Sequence, residues 1–495
     1  MELKIKFLKW SAGTPVAMLN KKTAYQIGVH TKGRVVIRTL SRYSKEIYAI
    51  TDIVENKIIE KDEIIVSSEI KQLLGLKKGQ KVDVDIAPVP RSLNLIKKKL
   101  NNQPLNEKEI NEIIADIVNN SLSESEIALF VSAMYEQGMN MRETIFLIKS
   151  ILRSGNVIKL RNKFVVDKHS IGGIPGNRTT PIVVSICAAA GLTFPKNSSR
   201  AITSAAGTAD VIETIARVEF SAYEIKKILK KVGACMVWEG AQGLVPADSK
   251  IIQIENVLKM DPEAQLLASI ISKKLAADSQ YILIDIPYGK TAKVNKQKAK
   301  ELKVKFEFLG KHFHKNIKVV LTDGSQPIGN GVGPALELID VIKVLNLLEK
   351  GPKDLEEKSL FLAGEIFEMV GKAKKGEGIH LAKMILYSGR AFKKFKQIIE
   401  AQQGSLKNIK QAEFKKDILS RKSGEIIEID NSQINSMARV AGCPADKSAG
   451  LYIYHHVGEK IKQGDKIITI YSESKSRLKQ AIEFYATRKP IKIKH

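Results

Sequence analysis

Cysteine and aromatic residues are scarce in this sequence, and long apolar runs do not occur. Aromatic residues make up 6 % of the 495 residues, and the three cysteines are Cys187, Cys235 and Cys443. Their spacing fits no metal-binding motif, and a protein of this size needs no disulfides. No run approaches the roughly 18–20 apolar residues of a membrane span, and the N-terminus lacks the uninterrupted apolar stretch of a signal peptide. We therefore expect a cytoplasmic protein without membrane contact.

Acidic residues are also few relative to basic ones. The chain has 53 Asp and Glu against 80 Lys and Arg, which gives a formal net charge of +27. Such an excess of positive charge is typical of proteins that bind nucleic acid. The lysines are spread over the chain, however, and zinc knuckles and basic runs interleaved with aromatic residues are missing. We therefore expect no nucleic-acid partner, although the charge can attract small anionic substrates.

A glycine-rich loop follows a short apolar run that ends at Asp167. The loop spans residues 168–176 and leads to Thr180-Pro181, where an apolar helix is predicted to begin. Glycines let backbone N–H groups approach an anion, the helix start adds partial positive charge, and Lys168 adds a full one. The loop is neither a Walker loop nor a dinucleotide fingerprint, so a tight turn between strand and helix explains it as well.

A second loop of similar composition follows at residues 198–208. It places Arg200 among several serine and threonine residues just before another predicted helix. Arg200 suits a bidentate contact with an oxyanion. A simple turn needs no such cluster, so the two loops together predict one phosphate-binding site with two halves.

The motif Lys168-His169-Ser170-x-Gly172-Gly173, followed by a hydroxyl-rich loop that ends in Gly207-Thr208, resembles the thymidine/pyrimidine-nucleoside phosphorylase family. The strings KHSIGGIPGNRTTP, SSRAITSAAGTAD and DPEAQLLASIISKKLAAD resemble its archaeal branch, the AMP phosphorylases, over nearly the whole chain. The resemblance implies a pentosyltransferase that converts a nucleoside 5′-monophosphate and phosphate to a free base and a sugar bisphosphate. For AMP the products are adenine and α-D-ribose 1,5-bisphosphate. Phosphate is then a co-substrate, and no metal or organic cofactor is implied.

Asp261 is the candidate general acid. On the sequence alone, an aspartate just before a proline at a helix start is a helix N-cap. The resemblance instead implies that Asp261 protonates the leaving base. A proton donor must keep its carboxylic acid form near neutral pH, which burial or a neighbouring carboxylate could provide.

Gln265, Ser269 and Lys273 lie four residues apart and form a polar line on one face of the predicted helix. Such a line is either solvated surface or the wall of a pocket. The resemblance implies that the serine and the lysine line the base pocket. The sequence leaves two roles open for His169: a proton carrier beside phosphate or a structural histidine.

The site residues implied by the motifs and the resemblance form four groups. The catalytic acid is Asp261; the substrate-binding residues are Gly173, Ser199, Arg200, Ala201, Ile202, Thr203, Ser204, Thr208, Ser269 and Lys293; the phosphate-binding residues are Lys168, Ser170, Gly172 and Thr180; further candidates are His169 and Lys273.

One departure from the family pattern bears on the substrate. Pyrimidine-specific members carry a base-reading arginine seven residues before the aspartate, where this sequence has Ile254. The second loop also differs from the RGLGH-type loop of the nucleoside enzymes. Both differences favour a nucleotide over thymidine. The alternatives are a pyrimidine nucleoside phosphorylase and, more distantly, a non-catalytic protein that binds anions or nucleic acid.

The predicted fold class is an α/β multidomain protein. Capping boxes at Ser123, Asn140 and Ser221 predict helix starts, and short β-branched segments, Ala24–Val29 among them, predict strands near the N-terminus. A split helical domain predicts a cleft that closes on substrate. The predicted domains are a small barrel-like β domain for assembly into a homodimer or larger homo-oligomer (1–88), a helical domain (91–160 plus 255–278), a mainly parallel α/β phosphate-binding domain (161–254 plus 279–412) and a hammerhead-like, β-rich α+β domain (413–495).

Overall fold

The computed structural model describes residues 1–8, 10–55, 58–160, 162–201, 204–241, 243–407 and 409–494. These residues form two compact units. Unit 1 comprises Met1–Gly155 and Pro246–Ser269, and unit 2 comprises Asn156–Val245 and Ile270–His495. The chain is an α/β multidomain protein, as predicted. The sequence predicts the second segment of the helical domain at 255–278. In the structure the second segment of unit 1 begins at Pro246, where a helix begins.

The strands are β1 Glu2–Phe7, β2 Val16–Asn20, β3 Arg34–Thr39, β4 Glu46–Val54, β5 Glu63–Val66, β6 Lys81–Ile86, β7 Val166–Ser170, β8 Phe194–Ser198, β9 Ala234–Trp238, β10 Tyr281–Tyr288, β11 Asn316–Asp323, β12 Gly331–Val332, β13 Phe414–Leu419, β14 Gly424–Ile429, β15 Gly450–Ile453, β16 Lys460–Ile461, β17 Lys466–Ser472 and β18 Ile491–Lys494.

The helices are α1 Lys21–Ile27, α2 Ser68–Leu74, α3 Ser92–Leu100, α4 Glu107–Val118, α5 Glu124–Gln137, α6 Met141–Arg153, α7 Thr179–Ala189, α8 Thr208–Ile212, α9 Ala222–Val232, α10 Pro246–Leu258, α11 Glu263–Ala276, α12 Lys296–His312, α13 Pro334–Asn346, α14 Lys353–Met369, α15 Gly378–Tyr387, α16 Arg390–Ala401, α17 Asn431–Ala441 and α18 Lys475–Arg488.

Strands β1 to β6 of unit 1 close into a barrel in the order β1-β5-β2-β4-β3-β6, and β6 pairs back to β1. Alternate residues of β1 point inward, so Leu3 and Ile5 are buried while Glu2 and Lys4 are exposed. This period of two fills the barrel with apolar side chains and leaves the charged ones in water. The barrel is therefore a packed core and not a channel.

The predicted strand at Ala24–Val29 is wrong, because helix α1 occupies most of it. The Asn20 side chain accepts a hydrogen bond from the Lys22 N–H at 3.0 Å, and Gly28, with φ +82°, ends the helix. Asparagine and glycine are preferred residues at these two caps. The two cap residues, and not the side chains between them, determine that this segment is helical.

Helices α3 to α6 and α10 also belong to unit 1. The capping boxes predicted at Ser123 and Asn140 are confirmed, as is the one at Ser221 in unit 2. Glu143 completes the box at Asn140 and also binds the buried Lys99 at 3.0 Å. One carboxylate thus fixes the start of α6 and neutralises the lysine of α3, which stabilises the bundle.

Unit 2 contains the parallel sheet β11-β10-β7, the parallel pair β8-β9, and antiparallel sheets formed by the strands after β11. A parallel bridge between Val165 and Thr193 connects the chain before β7 to the chain before β8. Residues Ile282–Pro287 of β10 are buried, as expected for a strand covered on both faces. The carboxyl ends of parallel strands lie at one edge of a sheet, which is where open α/β sheets bind ligands.

None of the helices in the described ranges is long and apolar enough to cross a membrane.

Candidate functional site

Lys168 occupies the middle of β7, and its side chain is 1 % exposed. The Nζ atom donates to Thr179 Oγ1 at 2.7 Å and lies 3.4 Å from Thr180 Oγ1. Both threonines belong to the first turn of α7. The predicted lysine, threonine and helix start therefore meet in one place, where helix N–H groups and an ammonium group can share an anion.

Two further lysines surround the same strand. The fully buried Asp167 carboxylate accepts from Lys274 Nζ at 2.9 Å, and Lys196 Nζ lies 3.5 Å from its other oxygen. Lys196 Nζ also donates to the Lys168 carbonyl at 2.9 Å. Lys196 and Lys274 thus share the Asp167 carboxylate, while the Lys168 ammonium contacts hydroxyl groups. Burying an excess of one charge is costly unless a counter-charge binds, so this cluster fits an anionic ligand.

The pKa values of these groups follow from burial. Burial, together with the positive charges of Lys358 and Arg178 and against the opposing charge of Asp285, lowers the pKa of Lys168 to about 7. Burial together with the Lys274 and Lys168 charges likewise brings the pKa of Lys196 to about 7. The pKa of His169 falls well below its ordinary value, because burial and the positive charges of Lys274 and Lys196 disfavour the imidazolium form.

His169 is therefore a neutral imidazole at neutral pH. A neutral imidazole has one donor and one acceptor nitrogen, so it can hydrogen-bond a phosphate but cannot act there as a charged acid. Ser170, the next residue, accepts a hydrogen bond from Asn177 Nδ2 at 3.3 Å. That contact joins the two ends of the first loop.

Arg178 connects the first loop to the second. Its Nε donates to Glu337 Oε2 at 2.7 Å, Nη1 to Thr208 Oγ1 at 3.0 Å, and Nη2 to the Ala206 carbonyl at 2.7 Å. Thr208, a predicted site residue, is the first residue of α8. Sequence reasoning missed Arg178. The available signal was a cation just after the first loop, one residue before the helix start.

Arg200 contacts acidic side chains in this structure. Its guanidinium forms a bidentate pair with Glu213, donates to Glu219 at 3.1 Å and lies 4.7 Å above the Trp238 ring. The hydrogen bond from Arg200 is the main reason that the pKa of Glu213 falls to about 2. An anionic substrate at Arg200 therefore has to compete with a carboxylate that is already in place.

Asp210 holds the backbone of the second loop. Its Oδ2 accepts from the Ala201 N–H at 2.7 Å and from the Gly207 N–H at 2.8 Å. Ser199 and Ser204 belong to this loop and are half-buried. The predicted residues Ile202 and Thr203 lie outside the described residues.

Gly173 and Lys293 lie against each other. A Cβ atom added at Gly173 would lie 3.1 Å from Lys293 Cβ, and both Gly172 and Gly173 have φ near +90°. Side chains are disfavoured in that conformation, so only glycine brings the first loop this close to Lys293. The first loop therefore lies beside Lys293, and Arg178 connects the first loop to the second.

The remaining candidates lie on α11 or just before it. Asp261 and Ser269 belong to unit 1, and Lys273 belongs to unit 2, where its Nζ donates to Glu239 Oε1 at 2.9 Å. Gln265, Ser269 and Lys273 are all buried, so the solvated-surface interpretation of this polar line is wrong. Asp261 is exposed, so its own surroundings in unit 1 do not supply the burial that a proton donor needs.

Within the part of the chain that the structure describes, no group of three or more histidine, cysteine, aspartate or glutamate side chains could hold a metal ion.

Three family descriptions match the chain. The helical bundle domain of the glycosyl transferase family matches residues 93–155, and the a/b domain of that family matches residues 162–392. The C-terminal domain of pyrimidine nucleoside phosphorylase matches residues 426–493.

Several similar proteins carry the name AMP phosphorylase. Those of Thermococcus kodakarensis and Pyrococcus furiosus are 43 % identical, and the alignments cover 100 % of this chain and 98 % of each relative. That of Methanococcoides burtonii is 40 % identical over 99 % of this chain and 97 % of its own length. Among solved structures, anthranilate phosphoribosyltransferase from Thermus thermophilus matches with a TM-score of 0.52 and 18 % identity, over 62 % of this chain and 99 % of that one. That structure is similar in fold.

Proposed function

Because this chain belongs to the AMP phosphorylase family, we propose that it cleaves the N-glycosidic bond of AMP with inorganic phosphate. In this reaction a phosphate oxygen forms a bond to C1′ of the ribose while the bond from C1′ to the adenine nitrogen breaks. The base leaves with a proton from an acid. The products are adenine and α-D-ribose 1,5-bisphosphate, and neither a metal nor an organic cofactor takes part.

The observation that carries this proposal is the buried cationic cluster at β7. Lys168 contacts the threonines at the start of α7, and Lys196 and Lys274 contact the carboxylate of Asp167, the preceding residue of β7. Such a cluster supports phosphate binding, since a phosphate supplies the missing negative charge and accepts hydrogen bonds from Lys168 and the first turn of α7. Holding phosphate beside the sugar removes an entropic barrier of several kcal/mol.

In this proposal the first loop binds the attacking phosphate through Lys168, Ser170, Gly172 and Thr180. Ser199–Ser204 and Thr208 of the second loop, together with Gly173 and Lys293, bind the nucleotide. Ser269 and Lys273 line the base pocket. Asp261 protonates the base. This role rests on the sequence motif, and it requires that the bound base excludes water from the carboxyl group and thereby favours its acid form.

Ile254 supports a purine nucleotide over a pyrimidine nucleoside as the substrate. Its side chain is 8 % exposed and offers no hydrogen bond to a pyrimidine carbonyl. The match of residues 426–493 to a pyrimidine nucleoside phosphorylase domain keeps thymidine as the second candidate. That domain lies outside the predicted base contacts, so it says less about the base than Ile254 does.

The deciding experiment measures phosphate-dependent release of free base from AMP, adenosine and thymidine under identical conditions. We expect adenine from AMP and little base from the two nucleosides. Base release from thymidine in preference to AMP would support the pyrimidine alternative. If none of the three releases base while the protein binds nucleic acid in a salt-dependent way, the chain is a binding protein.

We also propose that the enzyme acts in the cytoplasm as a homodimer or a larger homo-oligomer. The three cysteines are free and buried, which suits a reducing compartment. Light scattering during size-exclusion chromatography measures the assembly directly, and a monomer at micromolar concentration would contradict it.

A further inference from the structure

Helix α17 belongs to the C-terminal part of unit 2, yet it contacts both predicted substrate loops. Asn435, on its second turn, is 4 % exposed. Its Oδ1 accepts from the Ala205 N–H at 2.9 Å, and its Nδ2 donates to the Gly173 carbonyl at 3.1 Å. One side chain therefore touches the first loop and the second loop at once, from 262 and 230 residues away.

The chemistry of these two contacts requires a carboxamide. The Ala205 N–H can only donate and the Gly173 carbonyl can only accept, so the side chain must offer an acceptor and a donor from one short stem. Aspartate keeps the acceptor and loses the donor. Leucine has a similar size and offers neither.

Other contacts fix the helix itself in place. The Ala205 side chain is fully buried in the apolar core of the C-terminal part, which also includes Ile434 and Ala438 of α17. The fully buried Asn431 donates to Thr291 Oγ1 at 3.0 Å and to the Gly324 carbonyl at 2.9 Å. Helix α17 therefore also contacts the loop that carries Lys293, and its position is set by packing on several sides.

We infer that Asn435 is a positioning residue for phosphorolysis, which sets the separation between the phosphate-binding first loop and the nucleotide-binding second loop. The inference rests on the proposed function for what each loop binds. A separation error of a fraction of an ångström at this point would displace the phosphate from C1′, and reactions of this kind are sensitive to such displacement. Through Asn435 the C-terminal part thus positions both substrate loops.

The test uses the full-length protein with Asn435→Asp, Asn435→Leu and the control Ser436→Ala. Among the described residues, the Ser436 hydroxyl donates to the Ser432 carbonyl within α17 and to no group of either loop, so the control changes the same helix and leaves the Asn435 contacts in place. Steady-state rates are measured with AMP and phosphate varied separately. Hydrogen exchange is measured for peptides covering residues 171–176 and 204–207, and thermal midpoints are recorded.

In Asn435→Asp we expect kcat to fall about tenfold or more, the effect of a small displacement of phosphate from C1′, with a smaller change in the KM for phosphate. Exchange should increase at 171–176 and not at 204–207. In Asn435→Leu both loops should exchange faster, and kcat should fall as well. Ser436→Ala should match the wild type in all three measurements.

The inference is overturned if Asn435→Asp keeps the wild-type kcat, or if its activity falls only in proportion to the folded fraction. A wild-type protein that releases no base refutes the proposed function instead. The hydrogen-exchange data then still test the positioning role of Asn435. Faster exchange confined to the first loop in Asn435→Asp supports that role, and a uniform or absent change in exchange overturns it.

Discussion

Lys168 and Lys196 release protons near neutral pH in the free protein. Their pKa values of about 7 lie below the ordinary lysine value, because burial and neighbouring positive charges disfavour the ammonium form. A bound anion stabilises the ammonium form and therefore raises the pKa values of both lysines. Above about pH 7 an anion must therefore bind together with a proton, whereas below that pH the lysines are already charged.

Sulfate tests this dependence, because it keeps its double negative charge throughout the range. We expect its inhibition constant against phosphate to increase as the pH rises through about 7, by up to about tenfold per pH unit for each proton taken up. Lys168→Met should bind sulfate more weakly and show a shallower pH dependence. Inhibition that is independent of pH between about 6 and 9 would contradict the linkage.

Asp261→Asn tests the proposed acid. A carboxamide cannot deliver a proton to the base, so we expect kcat to fall by about 10²–10⁴-fold with a small change in the KM for AMP. Glu136→Gln makes the same change of carboxylate to carboxamide at an exposed acid on α5 of unit 1. This control should retain wild-type turnover. If folded Asp261→Asn retains it too, another group is the acid.

At the residue scale, the sequence predicts Lys168 and Thr180 but not the rest of their cluster. Those two residues meet because a short loop joins a strand to a helix, and a loop motif reports such proximity directly. Asp167, Lys196 and Lys274 come together across 29 and 107 residues. A single sequence carries no record of which distant lysine neutralises a given aspartate.

At the scale of an element, the close approach of the first loop to Lys293 depends on Gly173. Alanine there would need a positive φ and would also press against Lys293, whereas Gly191 has a positive φ with nothing nearby. Both Gly173→Ala and Gly191→Ala should therefore lose stability, by about 1–3 kcal/mol.

Only Gly173→Ala should also lower kcat/KM for AMP, by about tenfold or more, since a small displacement of a substrate loop costs that much. Steady-state kinetics and thermal unfolding of the two variants separate these effects. Equal kcat/KM in both variants would show that the contact with Lys293 does not matter for catalysis.

Helix starts follow from the sequence where the signal is local. The capping boxes at Ser123 and Asn140 each satisfy two backbone N–H groups within four residues. Nearby residues in the sequence therefore suffice to predict them. The strand prediction at Ala24–Val29 fails because the helix signals are two single residues, Asn20 before the segment and Gly28 near its end. The contacts of α17 with the substrate loops depend on tertiary packing, which no local pattern encodes.

At the scale of the whole molecule, the charge of +27 favours encounter with AMP, which is an anion. Screening at a Debye length of about 10 Å in 0.1 M salt weakens such attraction. We expect kcat/KM for AMP to fall roughly tenfold between about 0.03 and 0.3 M salt, with phosphate saturating. The inhibition constant of adenosine, which is neutral, should stay nearly constant. Equal salt sensitivity of both would contradict electrostatic steering.

Every strand pairing of the closed barrel is made between Glu2 and Ile86 among the described residues. The ribosome makes this segment before the residues of unit 2, and domains generally fold as units during synthesis. The barrel's backbone can therefore be fully paired before Lys168 has been translated. During the synthesis of the remaining chain, its strands then offer no free edge to neighbouring nascent chains.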